Sequence, residues 1–463
     1  MELAKVESLI REGKIAYIAL GLPDTNGTFR RKQFAGHHFL SSLAAGLSLP
    51  NAIFSWDIAE NWAYPSKVGN IAHFFGDSVM KPDLTTFMEV PWEDQIATCI
   101  GDLWTKQDTP VSISSRYILR NLVERAHSLG FEPMVASELE VRIFREDETS
   151  LRAKDFGPDL ISLHSLTKNY TSTSTRIDGH LIHDIAHMMH EYGMGIESYL
   201  SEHAPGMYEI NTAYADALTA ADRTMLFKAG IKDIACQKGL TASFMARWNE
   251  KEYGSGGHVH MSLWDRDQER NLFWDDGAQD HMSPTMRHFL AGLLFTLPDF
   301  MAIYAPVINS YKRHISGFPG RVPLCATWGI DNRTCAVRVL NDGRRSIRIE
   351  NRVPGADANF YLVFAAMLAS GLDGIERKLE LPAQWQRSAR LPIIIAQALA
   401  NGEVRPLAHN LTIATDMLEQ SAIAREYLGA DFVEHFVATR QWEIQQYEQA
   451  VTNWERQRYL ELI

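Results

Sequence analysis

Residues 332–352 carry a dense group of arginines that constrains the fold more than any other stretch. The stretch is NRTCAVRVLNDGRRSIRIENR, and its guanidinium groups belong to Arg333, Arg338, Arg344, Arg345, Arg348 and Arg352. Few acidic residues compensate them, so we expect the arginines to converge on a bound anion. The period of two of a β-strand would place Arg348, Glu350 and Arg352 on one face. A carboxylate flanked by two arginines suits a polyphosphate that shares its charge with a metal ion. The alternative is a solvated strand face with ion pairs.

Composition limits the class of protein. The chain has 463 residues, 46% hydrophobic and 22% charged, which is typical of a folded globular enzyme with two domains. A net charge of -12 argues against a nucleic-acid or anionic-membrane partner, because those partners require a basic face. The four cysteines show no CxxC spacing, which indicates neither a disulfide framework nor a zinc site. No apolar run reaches transmembrane length, and we expect a cytoplasmic protein.

A domain boundary is predicted near Thr109-Pro110. Residues 1–108 mix short apolar segments with Gly and Pro turns and are expected to form a small sheet-rich domain, followed by a larger domain over 109–463. Within the first domain the loop 55–64, SWDIAENWAY, combines aromatic residues with Asp57 and Glu60. Its composition alone favours an apolar loop packed at an interface.

Three further segments place chemically similar residues in pairs. Glu138 and Glu140 lie two apart in a strand pattern, Glu202 and Glu209 flank a Pro-Gly turn, and His258 and His260 follow a glycine turn. Each pair alone has an ordinary explanation, and a lone HxH is more often incidental than a ligand pair. If these strands and the one with Glu350 share a sheet, one face carries five carboxylates and two imidazoles. Such a set favours hard cations, Mg²⁺ or Mn²⁺, beside phosphate.

Other motifs narrow the chemistry. The sequence has no Walker A motif and no kinase glycine loop, so a nucleotide site would belong to a different fold. Paired carboxylates also occur in glycosidases, but six neighbouring arginines suit phosphate better than sugar. The apolar segment after Pro354 predicts a buried helix. Residues 410–460 are predicted to form helices that pack on the core through Phe432, Phe436, Trp442, Tyr447, Val451 and Trp454.

The motifs SELEV, EHAPGMYE, GSGGHVH, NSYKRHISG, RIENR and ADANFYL occur in this order. Together they resemble a type I glutamine synthetase over nearly the whole chain. The resemblance implies an α+β fold: a small N-terminal β-grasp-like domain, then a catalytic domain with a curved antiparallel sheet flanked by helices. It also implies ATP-dependent ligation of ammonia or an amine to the γ-carboxylate of L-glutamate through γ-glutamyl phosphate. Two to three Mg²⁺ or Mn²⁺ ions and a ring homo-oligomer, a dodecamer, are expected.

The resemblance also assigns roles to individual residues. One metal ion would be held by Glu140, Glu202 and Glu209, and another by Glu138, His258 and Glu350. The nucleotide and the transferring phosphoryl group would meet His260, Ser262, Arg333, Arg338, Arg345 and Arg348. The glutamate carboxylates would be held by Arg313, Arg352 and the backbone of Gly254. Asp57, contributed to the neighbouring subunit, would lie nearest the amine.

Departures from the family pattern point to the amine. Ammonia-using members carry a glutamate in a flap where this chain has Phe318 and Pro319, and Met207 and Tyr253 replace the usual Gln and Asn. A site for ammonium needs an acid close by, so an apolar flap predicts a bulkier alkyl or aryl monoamine. One alternative is a polyamine held by acidic and aromatic residues of the loop 55–64. Others are continued use of ammonia, or a catalytically silent binding protein, against which the complete ligand set argues.

Overall fold

The computed structural model describes residues 1–61, 76–165, 169–171, 179–314, 322–388 and 392–463. The strands are β1 (Tyr17–Pro23), β2 (Phe29–Ala35), β3 (Leu47–Pro50), β4 (Asp77–Glu89), β5 (Ile96–Trp104), β6 (Glu132–Phe144), β7 (Ile196–Ser201), β8 (Met207–Thr212), β9 (Ala215–Asp216), β10 (Thr241–Ser243), β11 (Gly257–Trp264), β12 (Trp328–Ile330), β13 (Val337–Leu340) and β14 (Arg348–Asn351). The helices are α1 (Leu3–Arg11), α2 (Gly36–Ser42), α3 (Ser115–Ser128), α4 (Glu148–Ala153), α5 (Gly179–Glu191), α6 (Ala217–Gln237), α7 (Pro284–Thr296), α8 (Met301–Tyr304), α9 (Phe360–Glu376), α10 (Pro392–Ala400), α11 (Leu411–Gln420), α12 (Ala422–Leu428), α13 (Ala430–Gln449) and α14 (Asn453–Tyr459). No helix within these ranges is long and apolar enough to cross a membrane.

Among the described residues, the N-terminal part forms a five-stranded sheet in the order β2-β1-β5-β4-β3. The pair β1 and β5 is parallel, and the other neighbours are antiparallel. The amphipathic α1 buries Val6 and Leu9 in a core that also contains Ile18 and Phe39. The N-terminal sheet thus has its own hydrophobic core, in line with a sheet-rich unit; the boundary at residue 108 stays a prediction.

A nine-stranded sheet dominates the larger part. Its main path is β12-β13-β14-β11-β6-β8-β7, and β9 and β10 pair with β6. All neighbours are antiparallel except β12 and β13. Helix α9 is buried from Phe360 to Gly374 and packs against α7 and α3. The prediction that the strands with Glu138, Glu209, His258 and Glu350 share one sheet is confirmed.

A buried arginine joins the two parts. Arg116, in the first turn of α3, donates to both carboxylate oxygens of Asp222 on α6, at 2.9 and 2.8 Å. It also donates to Asp102 on β5 at 2.9 Å and to Asp83 on β4 at 2.7 Å. The Tyr361 hydroxyl donates to Asp222 at 2.5 Å. A guanidinium removed from water needs each of these acceptors, so the network fixes the N-terminal sheet against α3, α6 and α9.

The C-terminal helices depart from the sequence prediction at their far end. Phe432 and Phe436 are buried as expected, but Tyr447, Val451 and Trp454 are 45%, 64% and 61% exposed. The prediction that these three residues pack on the core is wrong for the single chain. The last part of α13 reads EIQQYEQ, and this polar segment extends past the core.

Candidate active site

Strand register brings three carboxylates together at one end of the large sheet. Glu140 on β6 lies directly opposite Glu209 on β8, and Glu202 immediately follows β7. One oxygen from each of these three residues lies within 4.8 Å of the others. Antiparallel pairing of β7 and β8 through the Pro-Gly turn returns Glu209 to Glu202, as the sequence predicts.

This acidic cluster repels itself. The Gly256 N–H donates to Glu140, and the Asn211 amide donates to Glu209 at 3.2 Å. In the described part of the chain, neither glutamate has a lysine or arginine nitrogen within ion-pair distance. Burial, together with the negative charges of Glu138, Glu140 and Glu202, raises the pKa of Glu209 to about 8. A divalent cation would relieve this repulsion, and the all-oxygen donor set fits Mg²⁺ or Mn²⁺.

A second cluster lies next to it. Glu138 faces His258 across β6 and β11, and Glu350 faces His260 across β14 and β11. Donor atoms of Glu138, His258 and Glu350 again lie within 4.8 Å of one another. The structure therefore divides the predicted ligands into the same two groups of three that the family resemblance implies. Their assignment as metal ligands stays a prediction.

Arginines neutralise one side of the second cluster. Glu350 is 1% exposed and accepts from Arg338 Nη1 at 3.0 Å and from Arg352 Nη1. Burial disfavours the Glu350 carboxylate, but the positive charge of Arg352 outweighs it and lowers the pKa of Glu350. Burial likewise opposes ionisation of Glu138, and hydrogen bonds with His258 and His260 hold its pKa below the ordinary value. Both carboxylates are thus kept charged for a cation or a phosphoryl group.

The hydrogen bonds of His260 fix its tautomer. Arg348 Nε lies 3.1 Å from His260 Nδ1, and His260 Nε2 lies 2.7 Å from Glu138 Oε1. Because a guanidinium can only donate, Nδ1 is the acceptor and Nε2 carries the proton that Glu138 accepts. Arg348 therefore orients the imidazole, and through it the carboxylate of Glu138.

The other arginines of residues 332–352 differ in position. Arg333 lines the same cleft as Glu138, Glu140, Glu202, Glu209 and His258. Arg338 also donates to the exposed Asp331, at 2.6 and 3.0 Å. Arg345 lies over the Trp264 ring, 4.6 Å from its centroid. The expectation that all six arginines converge is wrong for Arg344, which is exposed and pairs with Asp276 at 2.8 Å, because the turn before β14 directs it outward.

Five of the six residues of the two clusters, all except the buried Glu350, line a cleft that also contains the predicted glutamate-binding residues Arg313, Arg352 and Gly254. Arg313 and Arg352 are 6% and 8% exposed, and within the described residues the Nε of each has no hydrogen-bond partner. Buried guanidinium donors of this kind suit an anionic substrate. A Cβ at Gly254 would lie 2.4 Å from the Ala246 carbonyl oxygen, so only glycine fits there.

A second cleft meets the first at Glu138. It contains the predicted nucleotide residues His260, Ser262, Arg345 and Arg348. Sequence reasoning missed its aromatic wall, Tyr214 and Trp264, whose rings are nearly parallel with centroids 6.3 Å apart. The alternation that selects His260 and Ser262 on β11 continues to Trp264 and could have identified it.

The predicted amine-side residues are only partly brought together. Met207 and Tyr253, which were singled out from sequence, line the first cleft. His203 and Val322, which were not, line it as well. Asp57 is not among the lining residues. Its carboxylate accepts from Ala59 N and Asn61 N at 2.8 and 2.9 Å, and from Asn61 Nδ2 and Trp442 Nε1 at 3.0 and 3.1 Å.

Phe318 and Pro319 lie outside the described residues, as do Trp62 and Tyr64 of the aromatic loop. The predictions that rest on their side chains are therefore not addressed by this geometry.

Comparison with known proteins agrees with this geometry. Residues 112–459 match a family model described as the glutamine synthetase catalytic domain. A glutamate–isopropylamine ligase from a Pseudomonas species is 36% identical, covering 100% of this chain and 98% of the relative. A γ-glutamylethanolamide synthetase, GlnA4, from Streptomyces coelicolor is 35% identical, covering 99% and 95%. A solved structure described as a GmaS/ADP complex aligns with a TM-score of 0.83 at 27% identity, covering 98% of this chain and 99% of that one.

Proposed function

The chain belongs to the glutamine synthetase family, and from that premise we propose that it is a ligase joining the γ-carboxylate of L-glutamate to an amine larger than ammonia. The family consists of enzymes that use ATP and divalent metal ions. The observation that carries the proposal is that two groups of possible metal ligands lie side by side where two clefts share Glu138, with Arg345 and Arg348 lining the second cleft.

The proposed chemistry has two steps. A γ-carboxylate oxygen of glutamate attacks the γ-phosphorus of ATP and releases ADP, forming γ-glutamyl phosphate. The amine nitrogen then attacks the carbonyl carbon of γ-glutamyl phosphate, phosphate leaves, and the amine loses a proton. Arg338 and Arg333 would stabilise the transferring phosphoryl group, while Arg313 and Arg352 hold the glutamate carboxylates. Two ions, one at each cluster, would supply the positive charge that draws the phosphate oxygens and the carboxylate together.

The cleft supports an amine with an apolar substituent. Met207, Val322 and Tyr253 line it, and Met207 is 2% exposed. Pro319 stands where ammonia-using relatives carry an acid. One relative is named for isopropylamine as the amine that it ligates, and another for a γ-glutamylethanolamide product. Burying a three-carbon substituent would contribute about 0.8 kcal/mol per methylene, roughly tenfold or more in affinity.

A polyamine is less favoured in the single chain. A polyamine cage requires free carboxylates at Asp57 and Glu60, but Asp57 accepts from Trp442 and Asn61, and Glu60 accepts from Arg30. Both acids are therefore engaged within the subunit. To bind the amine in the neighbouring subunit, as proposed, the Asp57 carboxylate would have to give up its hydrogen bond from Trp442 or from Asn61.

One experiment tests the amine assignment. We would measure kcat/KM for isopropylamine, ethanolamine, aniline, putrescine and ammonia side by side, following ADP release that depends on L-glutamate. We expect a monoamine with an apolar substituent to lead. If kcat/KM is highest for ammonia, the argument from an apolar cleft fails. If it is highest for putrescine, the acidic loop 55–64 replaces the apolar cleft as the feature that selects the amine. Absence of ADP release with every amine would instead favour a silent binding protein.

We also propose a ring homo-oligomer in which subunits share active sites. The exposed C-terminal residues Val451, Trp454, Leu460 and Leu462 support it, because a soluble monomer rarely leaves several large apolar side chains of one short segment uncovered. Light scattering of the full chain should give a multiple of the subunit mass, and deletion of residues 451–463 should reduce it. An active monomer would refute the ring.

A further inference from the structure

Arg142 extends the row of charged residues on β6. It lies two residues beyond Glu140 and four beyond Glu138, so strand alternation places its Cβ on the same face as both glutamates. Unlike them it does not line the cleft, and it is only 2% exposed. A guanidinium this deeply buried beside an acidic cluster must be matched by nearby acceptors.

Its acceptors come from two segments that border the substrate cleft. Arg142 Nη1 donates to the Pro205 carbonyl at 3.2 Å and to Glu252 Oε2 at 2.5 Å, and Nη2 donates to the Tyr253 carbonyl. Pro205 belongs to the turn that connects Glu202 and Glu209. Tyr253 precedes Gly254, the residue assigned to glutamate binding. Arg142 thus connects the carboxylate-rich turn to the loop on the glutamate side of the cleft.

The partner carboxylate is itself held in place. Glu252 Oε2 also accepts from Trp248 Nε1 at 3.2 Å, and the Trp248 ring packs edge-on against Phe144 at the end of β6, with centroids 5.0 Å apart. Glu252 is therefore fixed by two donors and leaves Arg142 little freedom to move. The ion pair joins a rigid strand to an irregular loop.

This arrangement determines how the loop faces the cleft. The C=O and N–H of a trans peptide point in opposite directions, so holding the Tyr253 carbonyl toward Arg142 turns the Gly254 N–H away from it. Rotation of this peptide is restricted further because Gly254 lies against the Ala246 carbonyl and the Arg313 side chain. The same contact therefore sets the Tyr253–Gly254 backbone and the stem of Arg313, both of which line the cleft.

We propose that the Arg142–Glu252 ion pair is a positioning element that sets the affinity for L-glutamate; this rests on the proposed function. Arg142 does not line the cleft, whereas Glu252 does, and the pair acts through the Tyr253–Gly254 peptide and Arg313. If the ion pair served stability alone, its removal would lower the melting temperature without changing the KM for one substrate more than the KM for another. A positioning role is therefore distinguished from a purely structural one by a change in KM for L-glutamate that exceeds the change in KM for ATP.

The test compares Arg142→Met, Arg142→Lys and Glu252→Gln with the unaltered enzyme. Steady-state ADP release gives kcat and KM for L-glutamate, ATP and the preferred amine, and thermal unfolding gives Tm. We expect Arg142→Met to raise KM for L-glutamate about tenfold or more and KM for ATP less than twofold. Lysine keeps the charge but reaches fewer acceptors, so Arg142→Lys should be intermediate. Glu252→Gln retains shape and should give a smaller rise in the same direction.

Arg145→Met is the matched control. Arg145 follows the same strand but donates to the Leu163 carbonyl, away from residues 249–256, and should leave both KM values unchanged. If Arg142→Met and Glu252→Gln lower Tm while KM for L-glutamate and for ATP keep their ratio, the inference is overturned. If Arg142→Met does not fold, Glu252→Gln decides.

The inference and the proposed function can fail separately. If the unaltered protein releases no ADP with any amine, the ligase proposal fails. The affinity for L-glutamate is then measured by thermal shift with Mg²⁺ and a non-hydrolysable ATP analogue. Weaker glutamate binding by Glu252→Gln would still support the positioning role, whereas equal binding, or no binding by either protein, would overturn it.

Discussion

Two buried groups of charges differ in how completely they are balanced. Around Arg116, every carboxylate has a guanidinium partner: Asp222 and Asp83 meet Arg116, and Asp102 meets both Arg116 and Arg120. Around Glu140 and Glu209, carboxylates instead face each other, and the pKa of Glu209 is raised to about 8. The first group holds the N-terminal sheet against the catalytic part, and the second lines an open cleft.

The difference separates structure from function. A balanced buried network stabilises a fold only while all its members are present, since removing one leaves uncompensated charge. An unbalanced network beside a cleft is destabilised until a ligand of opposite charge arrives. Glu350 combines features of both networks. Arg338 and Arg352 neutralise its carboxylate, but its neighbour Glu138 also lies close to the acidic cluster of Glu140, Glu202 and Glu209. Substitutions should therefore lower stability in the first group, whereas in the second group they should lower activity and relieve repulsion.

The largest expected effect is the loss of catalysis at Glu350. Glu350→Ala or Glu350→Gln removes the carboxylate between Arg338 and Arg352 and should lower kcat/KM by about a thousandfold, roughly 4 kcal/mol of transition-state stabilisation. Circular dichroism and light scattering should show an unchanged fold and assembly. Asp331→Asn is the control, because Asp331 also binds Arg338 but is exposed and should reduce activity only slightly. Turnover of Glu350→Ala near that of the unaltered enzyme would refute the assignment of this site.

Next in size is the stability loss at Arg116. Arg116→Met leaves Asp222, Asp102 and Asp83 without their common partner and should cost about 3–5 kcal/mol of unfolding free energy. Urea denaturation of both proteins at pH 7 would measure it. Arg120→Met, which removes a half-buried guanidinium from the same network, should cost much less. Equal losses from the two substitutions would contradict the view that Arg116 is the centre of a balanced network.

The sign of the effect should reverse in the acidic cluster. Without metal ions at pH 7, Glu209→Gln should be more stable than the unaltered protein, because the raised pKa of Glu209 means that its ionised form is disfavoured in the fold, a cost that glutamine does not carry. Asp222→Asn in the balanced network should be less stable. Saturating Mg²⁺ at about a hundred times its Kd should stabilise the unaltered protein by about 2.7 kcal/mol and Glu209→Gln by less. Thermal shift with EDTA and with Mg²⁺ tests both statements, and a destabilised metal-free Glu209→Gln would contradict them.

The sequence was sufficient for the parts of the site that strand periodicity controls. Glu138 and Glu140 alternate on one strand and His258 and His260 on another, so the common face of each pair follows from local spacing. That these strands share a sheet with Glu350 was a condition that the sequence left open. Arg142 shares that spacing, but its role depends on Pro205, Glu252 and Tyr253, which reach it from distant segments. Periodicity also could not predict that Trp454 is exposed, because an apolar helix face does not reveal whether it packs against the same chain or against another one. The Arg116 network was missed for the same reason, since its partners are far apart in sequence.

The smallest expected effect concerns a neutral contact between the same two parts of the molecule. His435 on α13 is buried 3.1 Å from the Thr25 hydroxyl, and burial, with the nearby charge of Arg440, lowers its pKa from 6.5 to about 4. The unfolded chain therefore binds this proton more readily, so stability is lost as pH falls through the interval from 6.5 to 4. Between pH 7 and pH 5 the loss should be about 2 kcal/mol. His435→Gln cannot titrate, so its stability relative to the unaltered protein should improve by that amount on going to pH 5. Urea denaturation of both proteins at pH 5, 6 and 7 measures the difference, in which the contributions of all other titrating groups cancel; a difference that does not vary with pH would show that His435 is not held neutral.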